Sequence, residues 1–259
     1  MYVMLVTSFK TMDEIRASSI FALPMAPTFA PWLEAWSTAC TGLACNGVQV
    51  GFWNSVQIVL PSVIVSILIG ALNGYALSLW KPRYGNLVFG ILMIGVFVPA
   101  QVVMVPLVRM LAGVGLFGSL PALVVVHTIF GMPIMTLLFR NYYQSVPDEL
   151  FKAARIDGGG FWRIFFSVML PMSTPMLIVA TIMQVTGIWN DYLMGLIFGG
   201  ADIAPMTVQL NNIVNSTFGE RAYNVNMAAT ILTSAVPLFV YLISGRWFVR
   251  GIASGAVKG

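Results

Sequence analysis

Five long apolar segments leave this chain few folds to adopt. They run approximately from Phe52 to Trp80, Asn86 to Ala112, Leu120 to Phe139, Pro171 to Phe198 and Asn226 to Val249. As a helix, each can cross the roughly 30 Å hydrocarbon core of a bilayer. Of the 259 residues, 58% are hydrophobic and 8% are charged, a balance that excludes an ordinary soluble domain. The sequence therefore predicts an all-α, polytopic transmembrane helical bundle that forms one domain over residues 1–259.

The apolar segment from Met1 to Phe9 is too short to cross a membrane. It also lacks the basic start, longer apolar core and cleavage site of a signal peptide. We interpret it as the stub of a sixth span before the five full ones. Residues 10–51 then form a predicted external loop, in which Cys40 and Cys45 either close a small ring or remain free thiols.

Lysine and arginine are distributed unevenly between the two sides of the predicted bundle. Nine lie on the side that carries residues 140–170, and four lie on the other side, where residues 199–225 form a second external loop. Cytoplasmic loops carry the excess of Lys and Arg, so the side with nine is predicted to be cytoplasmic, together with the C-terminal tail, residues 250–259. This topology accounts for the formal net charge of +4, which therefore indicates no nucleic-acid partner.

The predicted cytoplasmic segment 140–170 contains a charged stretch that ends in three glycines. Residues this polar are costly in hydrocarbon, so they must lie in water between two spans. Ser145 and Asp148 are typical of a capping box, and the glycines from Gly158 end the short helix that follows. One predicted face is small and partly apolar: Leu150, Ala153, Ala154 and Asp157. The remaining surface carries Asp148, Glu149, Lys152 and Arg155. Such a helix fits a groove on another protein.

The same stretch resembles the coupling loop of permease subunits in binding-protein-dependent ATP-binding-cassette (ABC) importers. The loop signature is EAA, three residues, glycine, nine residues, isoleucine, one residue, leucine and proline. The chain keeps this spacing at Ala153, Ala154, Gly158, Leu170 and Pro171. Two positions differ, because Lys152 replaces the usual glutamate and Val168 replaces the usual isoleucine. The first difference reverses a charge, so the family's glutamate contact does not transfer to Lys152.

Further segments extend the resemblance to the sugar-importing branch over most of the chain. They are AARIDG, the run IWNDYL from Ile188 to Leu193, the run from Asn226 to Tyr241 and the closing GAVKG. The resemblance implies an inner-membrane, multi-pass permease of the maltose-type carbohydrate uptake family, with a cytoplasmic C-terminus. Two segments, ELFKAARIDGGGFWR and TVQLNNIVNS, look like the glucose and mannose branch. An importer of an oligosaccharide such as an α-glucoside is the alternative.

The resemblance also implies partners. They are a second permease subunit that completes a heterodimer, an ABC ATPase dimer that binds ATP and Mg, a periplasmic or extracellular sugar-binding protein, and membrane lipid. The residues implied in ATPase coupling are Glu149, Leu150, Lys152, Ala153, Ala154, Arg155, Asp157 and Gly158. The chain itself has no GxxxxGK[ST] phosphate loop, no plausible Ser/His/Asp set and no Cys/His cluster for a metal. We therefore expect no cofactor and no enzymatic activity in this chain.

Polar residues at the outer end of the fourth apolar segment are candidates for the sugar path. They are Trp189, Asn190 and Asp191, with Asn54 in the first segment as a further candidate. Amides and carboxylates bind sugar hydroxyls, and an aromatic face packs on a sugar ring. The same residues can instead bond neighbouring helices, which is the structural alternative. An ion-coupled secondary transporter that uses His127 or Asp191 is a different class of function, against which the scarcity of ionisable residues in the spans argues.

Overall fold

Helices make up every regular element in the part of the chain that the computed structural model describes, which confirms the predicted all-α class. That part comprises residues 1–41, 44–215 and 221–256, with side chains described as far as residue 245. The end of the predicted cytoplasmic tail, part of the second external loop, and Gly42 and Leu43 lie outside the described residues.

The helices follow one another with short connections. The first seven are α1 (Tyr2–Thr7), α2 (Met12–Ala17), α3 (Ala30–Ser37), α4 (Gln49–Tyr75), which continues as a π-helical segment (Ala76–Trp80), α5 (Gly85–Phe97), α6 (Ala100–Gly113) and α7 (Leu120–Ser145). The next four are α8 (Asp148–Ile156), α9 (Phe161–Ile164), which continues through a second π-helical segment (Phe165–Met169) to α10 (Leu170–Met172), and α11 (Thr174–Trp189). The last three are α12 (Leu193–Phe198), α13 (Met206–Asn215), which follows a 3-10 turn (Ala201–Ile203), and α14 (Tyr223–Ala256).

Three helical segments are long and apolar enough to cross a membrane alone. They are Gln49–Trp80, Leu120–Ser145 and Tyr223–Gly245. Two bent pairs meet the same test only when taken together: Gly85–Phe97 with Ala100–Gly113, at 105°, and Phe161–Met172 with Thr174–Trp189, at 77°. The described residues therefore contain three spans, or up to five if each bent pair forms one span.

Breaks divide two of the predicted segments. The segment Asn86–Ala112 is not one straight helix, because Val98 is extended and Pro99 follows it. Proline disfavours helical backbone in the residue before it, which accounts for this break. The segment Pro171–Phe198 is also interrupted, since α11 ends at Trp189 and a separate helix, α12, follows.

The chain divides into two compact units, each built from several stretches of sequence. The first comprises Met1–Ile58, Gly118–Leu120 and Trp189–Phe239, and the second comprises Val59–Phe117, Pro121–Ile188 and Val240–Gly259. In the first unit, Cys40 and Cys45 form a disulfide, so the closed ring is the alternative that the structure contains.

In the second unit, α4 and α7 approach so closely that only glycine fits at two positions of α4. A Cβ on Gly70 would lie 2.3 Å from the Cβ of Met135, and a Cβ on Gly74 would lie 2.6 Å from the backbone nitrogen of Arg140. The four-residue spacing puts both glycines on one face, the arrangement with which membrane helices pack at short distance. Asn73 lies beside them, and its Nδ2 donates to Thr136 Oγ1 at 3.3 Å. The two helices are thus fixed by backbone proximity and a hydrogen bond.

We expect Gly74→Ala to destabilise the protein by about 1–3 kcal/mol, because the added methyl group meets the backbone of α7, which cannot rotate away. The measurement is the unfolding midpoint of the detergent-purified protein. Gly187→Ala in α11 is the matched control, since a Cβ there meets nothing within 4 Å. Equal midpoints for the two variants would contradict the close packing.

Candidate functional site

Helix α8 lies on the surface with most of its side chains in solvent. Of its 9 residues, only Phe151 and Ala154 are partly buried. Leu150 is 43% exposed and Ile156 is 84% exposed. Exposed apolar side chains on a short charged helix are a feature of surfaces that bind other proteins.

The partly buried pair corrects the predicted face of α8. Ala154 turns inward with Phe151, three residues before it, whereas Leu150, Ala153 and Asp157 remain exposed. Glu149 and Lys152 are also exposed and border this outer face. The helix therefore has an inner face of Phe151 and Ala154 and an outer face that includes most of the predicted coupling residues.

The start of α8 differs from the prediction. Ser145 does not form a capping box, because its Oγ donates to the carbonyl oxygen of Tyr142 at 2.7 Å. Pro147 occupies the cap position instead. Asp148 and Glu149 in the first turn place negative charge near the positive end of the helix dipole, which stabilises the start without a side-chain cap.

The end of α8 confirms the predicted role of the glycines. Gly158 has a φ of +76°, a left-handed conformation that favours glycine. Its N–H donates to Arg155 O at 3.1 Å, and the N–H of Gly159 donates to Ala154 O at 3.0 Å. This pair of bonds is the Schellman motif, which satisfies the last carbonyl groups of a helix. The motif fixes both the end of α8 and the direction in which the chain leaves it.

A cluster of aromatic rings, here called the aromatic cluster, joins α8 to the neighbouring elements of the second unit. Its members are Tyr75, Trp80, Phe151, Phe161 and Phe165. The ring centroids of Phe151 and Trp80 are 5.8 Å apart, and those of Tyr75 and Phe161 are 4.9 Å apart. Tyr75 also packs on Phe165, at 5.3 Å, and its hydroxyl donates to the carbonyl oxygen of Phe161 at 3.1 Å. Such pairs add stability beyond the burial of their area.

Arg155 strengthens this attachment. The guanidinium carbon lies 4.6 Å from the centroid of the Trp80 ring, within the range of a cation–π interaction. One of the predicted coupling residues therefore contacts its own chain. Sequence spacing could not reveal this contact, although the phenylalanines on either side of the glycine run, Phe151 and Phe161, were a possible signal.

Two tyrosines of α7 hold the bend that precedes α11. The hydroxyl of Tyr142 donates to the carbonyl oxygen of Met172 at 2.6 Å. The hydroxyl of Tyr143 lies 3.2 Å from Ser173 Oγ, at the point where the chain turns by 77°. The ring of Tyr143 also lies 6.2 Å from that of Tyr75. Tyr143 thus contacts both the aromatic cluster and the bend.

We expect Trp80→Ala to loosen α8 without unfolding the spans, because it removes the ring that Phe151 and Arg155 contact. Loss of these contacts should speed hydrogen exchange of the α8 amides by about tenfold. Hydrogen exchange followed by mass spectrometry measures the effect. Trp53→Ala is the control, since Trp53 is 59% exposed and its ring contact is with Phe52. Unchanged exchange in the Trp80 variant would show that the cluster does not hold α8.

Among the candidate path residues, Asp191 uses its carboxylate within the first unit. One oxygen accepts from the N–H of Met194 at 3.3 Å, and the other accepts from the N–H of Gly195 at 3.0 Å. Thr207 Oγ1 donates to the backbone carbonyl of Asp191 at 2.6 Å. A carboxylate that binds the first free amides of α12 is a helix cap. These contacts favour the structural alternative for Asp191.

Trp189 and Asn54 also make contacts within the first unit. Trp189 is 2% exposed, and its Nε1 donates to the carbonyl oxygen of Thr233 at 3.0 Å. The amide nitrogen of Asn54 donates to the carbonyl oxygens of Asp202 and Ala204, at 2.9 Å and 3.1 Å. Asn190 is the most exposed of the four candidates. Across the described residues, no group of three or more His, Cys, Asp and Glu side chains is placed to hold a metal ion.

Known proteins match this chain in sequence. A family model described as "Binding-protein-dependent transport system inner membrane component" matches residues 62–254. A probable ABC transporter permease protein of Pyrococcus horikoshii is 38% identical over 183 residues, which cover 70% of this chain and 66% of that protein. The alpha-glucoside transport system permease protein AglG of Rhizobium meliloti is 34% identical over 265 residues, or 98% of this chain and 67% of that protein. The chain thus spans about two thirds of the length of these two relatives.

A third relative is covered more fully. The xylose/arabinose import permease protein XacI of Haloferax volcanii is 33% identical over 275 residues, which cover 97% of this chain and 86% of that protein. Among solved structures, a bacterial ABC transporter involved in the import of the acidic polysaccharide alginate matches with a TM-score of 0.81 and 18% identity, over 95% of this chain and 89% of that one. At this identity the match shows the shared fold.

Proposed function

The chain belongs to the family of inner membrane components of binding-protein-dependent transport systems, and on that premise we propose that it is the permease subunit of an ATP-driven sugar importer. In this proposal it forms half of the translocation path, and a separate pair of ATPases supplies the energy. The proposal rests on the structure of α8. This charged surface helix exposes the apolar side chains of Leu150 and Ile156, and aromatic rings attach its inner face to the rest of the second unit.

In this proposal the two faces of α8 have different roles in coupling. The outer face, with Leu150, Ala153 and Asp157, enters a groove on the ATPase. The inner face, with Phe151, transmits the displacement of α8 to the aromatic cluster. From there the displacement passes through Tyr143 to the bend at Ser173 and into α11. Closure of the ATPases on ATP thereby changes the orientation of the spans.

The charge on the outer face constrains the partner. Lys152 is exposed on α8 at the position where the family carries glutamate. We infer that the ATPase of this importer presents a carboxylate or a carbonyl group there, because opposite charge fixes the register of an interface and like charge costs affinity. Arg155 contributes less to the partner contact, since its guanidinium rests on Trp80.

The substrate we propose is a monosaccharide such as glucose or mannose. The resemblance of the segments around Arg155 and Asn212 to the glucose and mannose branch supports it. The alternative is an oligosaccharide of the α-glucoside type. The names of the relatives include both an α-glucoside system and a xylose/arabinose importer, so family membership is compatible with either size of sugar. The external binding protein and the second permease subunit, which completes the heterodimer, contribute to the choice.

Purification from the native membrane in mild detergent tests the proposal. We expect an ATPase, a second permease and a sugar-binding protein to copurify with this chain. Ala153→Trp should reduce the recovered ATPase about tenfold, because it places a bulky ring at the centre of the outer face. Ala17→Trp is the matched control, as Ala17 is an exposed alanine at the end of α2. Transport that needs no nucleotide and no ATPase would overturn the proposal and favour ion coupling.

The same preparation identifies the sugar. The ligand released from the copurified binding protein is expected to be glucose or mannose. Release of an α-glucoside would select the alternative substrate and leave the importer proposal unchanged.

We expect Gly158→Ala to lower sugar uptake while leaving membrane insertion intact. Alanine in a left-handed conformation costs about 1–2 kcal/mol, which weakens the end of α8. Gly160→Ala is the control, because Gly160 has a φ of −80° and both glycines are surrounded by open space. Gly158→Asn should restore most of the uptake, since asparagine tolerates this conformation. Equal uptake in the Gly158→Ala and Gly160→Ala variants would contradict a role for the helix end.

A further inference from the structure

A cationic cavity of about 410 Å³ lies at the start of α5 in the second unit. Lys81, Arg83 and Arg140 line it and bring three positive charges. Asn86 and Gln144 line it as well, and none of the described residues that line it is an Asp or Glu. The volume lies within the range of roughly 300–1,000 Å³ that is typical of ligand pockets. These positive charges favour the binding of an anion in the cavity.

Within the described residues, none of these three cations forms a salt bridge. In the ranges that the structure describes, the salt bridge present joins Arg16 to Asp13, far along the chain from these cations. The Nε of Arg140 is buried and has no hydrogen-bond partner there, an arrangement that is costly for a charged group. The guanidinium of Arg140 instead lies 4.2 Å from the centroid of the Phe89 ring.

The first turn of α5 adds to the same electrostatic field. Gly85 and Asn86 begin the helix and line the cavity, so the positive end of the helix dipole lies next to it. The residue before them, Tyr84, provides no side-chain cap. Three cations, two amides and a helix N-terminus therefore meet at one place.

A second, apolar cavity of about 800 Å³ follows along the same two helices. Its walls include Ile91, Gly95 and Phe97 of α5 and Ile129, Met132 and Pro133 of α7. On α5, Ile91 in the apolar cavity is five positions after Asn86 in the cationic one, a rise of about 7.5 Å. On α7, Arg140 lies in the first cavity and Ile134 in the second. The two cavities thus follow one another along α5 and α7, one charged and one apolar, and together they are called the α5–α7 groove here.

We propose that this α5–α7 groove binds an anionic phospholipid, with the phosphate in the cationic cavity and an acyl chain in the apolar cavity. Lys81 directly follows the span that ends at Trp80, and Arg140 lies in the last turns of the span that ends at Ser145, so the charged end is at the membrane edge. Basic pockets between membrane helices at such an edge suit anionic head groups.

The surface around the groove favours a lipid over free phosphate. Leu87, Ile91 and Ile94 are 62%, 60% and 65% exposed and recur at helical spacing, so they form an apolar stripe leading away from the charged end. Tyr84, 62% exposed, stands at the start of the stripe, where membrane proteins place aromatic residues. Free phosphate would use the cations and leave the stripe and the apolar cavity without a function.

Native mass spectrometry of the detergent-purified protein, with its copurifying subunits, tests the charged end. The probe is dioleoylphosphatidylglycerol, titrated beside dioleoylphosphatidylcholine. We expect Arg140→Gln to weaken phosphatidylglycerol binding about fivefold, and the double variant Lys81→Gln/Arg83→Gln to weaken it further, because each basic residue near anionic lipid contributes comparably. Arg163→Gln, which removes an exposed cation of α9, is the matched control and should bind as the unaltered protein does. The double variant alters exposed residues, so it tests the proposal even if Arg140→Gln fails to fold.

A pair of glycine variants tests the apolar end. Gly95→Leu fills the apolar cavity, and a Cβ at Gly95 meets nothing within 4 Å, so the backbone need not move. Gly90→Leu lies on the same helix in equally open space and does not line the cavity. We expect Gly95→Leu to weaken phosphatidylglycerol binding and Gly90→Leu to leave it unchanged. Inorganic phosphate is the second probe. We expect its binding to be weakened by the charge variants and unchanged by Gly95→Leu.

Three results would overturn the proposal. The first is phosphatidylglycerol binding that none of the charge variants changes. The second is tight binding of inorganic phosphate together with lipid binding that is indifferent to Gly95→Leu, which would assign the cavity to a soluble anion. The third is a copurifying subunit that shields the groove, seen as a crosslink from Gly95→Cys to protein rather than to lipid.

Discussion

The close approach of α4 and α7 determines where the side chains of the two candidate sites in the second unit lie. Gly70 and Gly74 allow the two backbones to come together, and this contact fixes the ends of both helices. Tyr75 and Trp80 follow Gly74 on α4, and Arg140 and Tyr143 lie on the facing end of α7. The aromatic cluster under α8 and the cationic cavity beside α5 therefore depend on the same pair of glycines. A change in that packing would disturb both sites at once.

Attachment by aromatic rings suits a surface helix at a membrane edge. A ring can be buried on one side and meet water on the other, and its contacts need no exact hydrogen-bond geometry. Phe151 and Arg155 attach α8 through their side chains to Trp80, which ends the segment Gln49–Trp80. The outer side chains of α8 remain available for a partner. The attachment fixes the inner face of α8 and leaves its outer face exposed.

Features that depend on neighbouring residues could be predicted from sequence, and features that depend on distant contacts could not. The helical class follows from apolar length, and the end of α8 follows from the glycines at Gly158, because both rules are local. The break after Phe97 has a local cause as well, because Pro99 disfavours helical backbone at Val98. The inward turn of Ala154 and the cap formed by Asp191 depend on what packs against them. Residue type alone made Asp191 as suitable for a sugar as for the amides of α12.

The Schellman end of α8 has a consequence for repeated association. The carbonyl groups of Ala154 and Arg155 are satisfied by Gly159 and Gly158 whether or not anything is bound. A partner can therefore leave this end of the helix without stripping hydrogen bonds from it, and water need not reorganise around free backbone groups. A surface of this kind suits a contact that is made and released many times, because its unbound form is already complete.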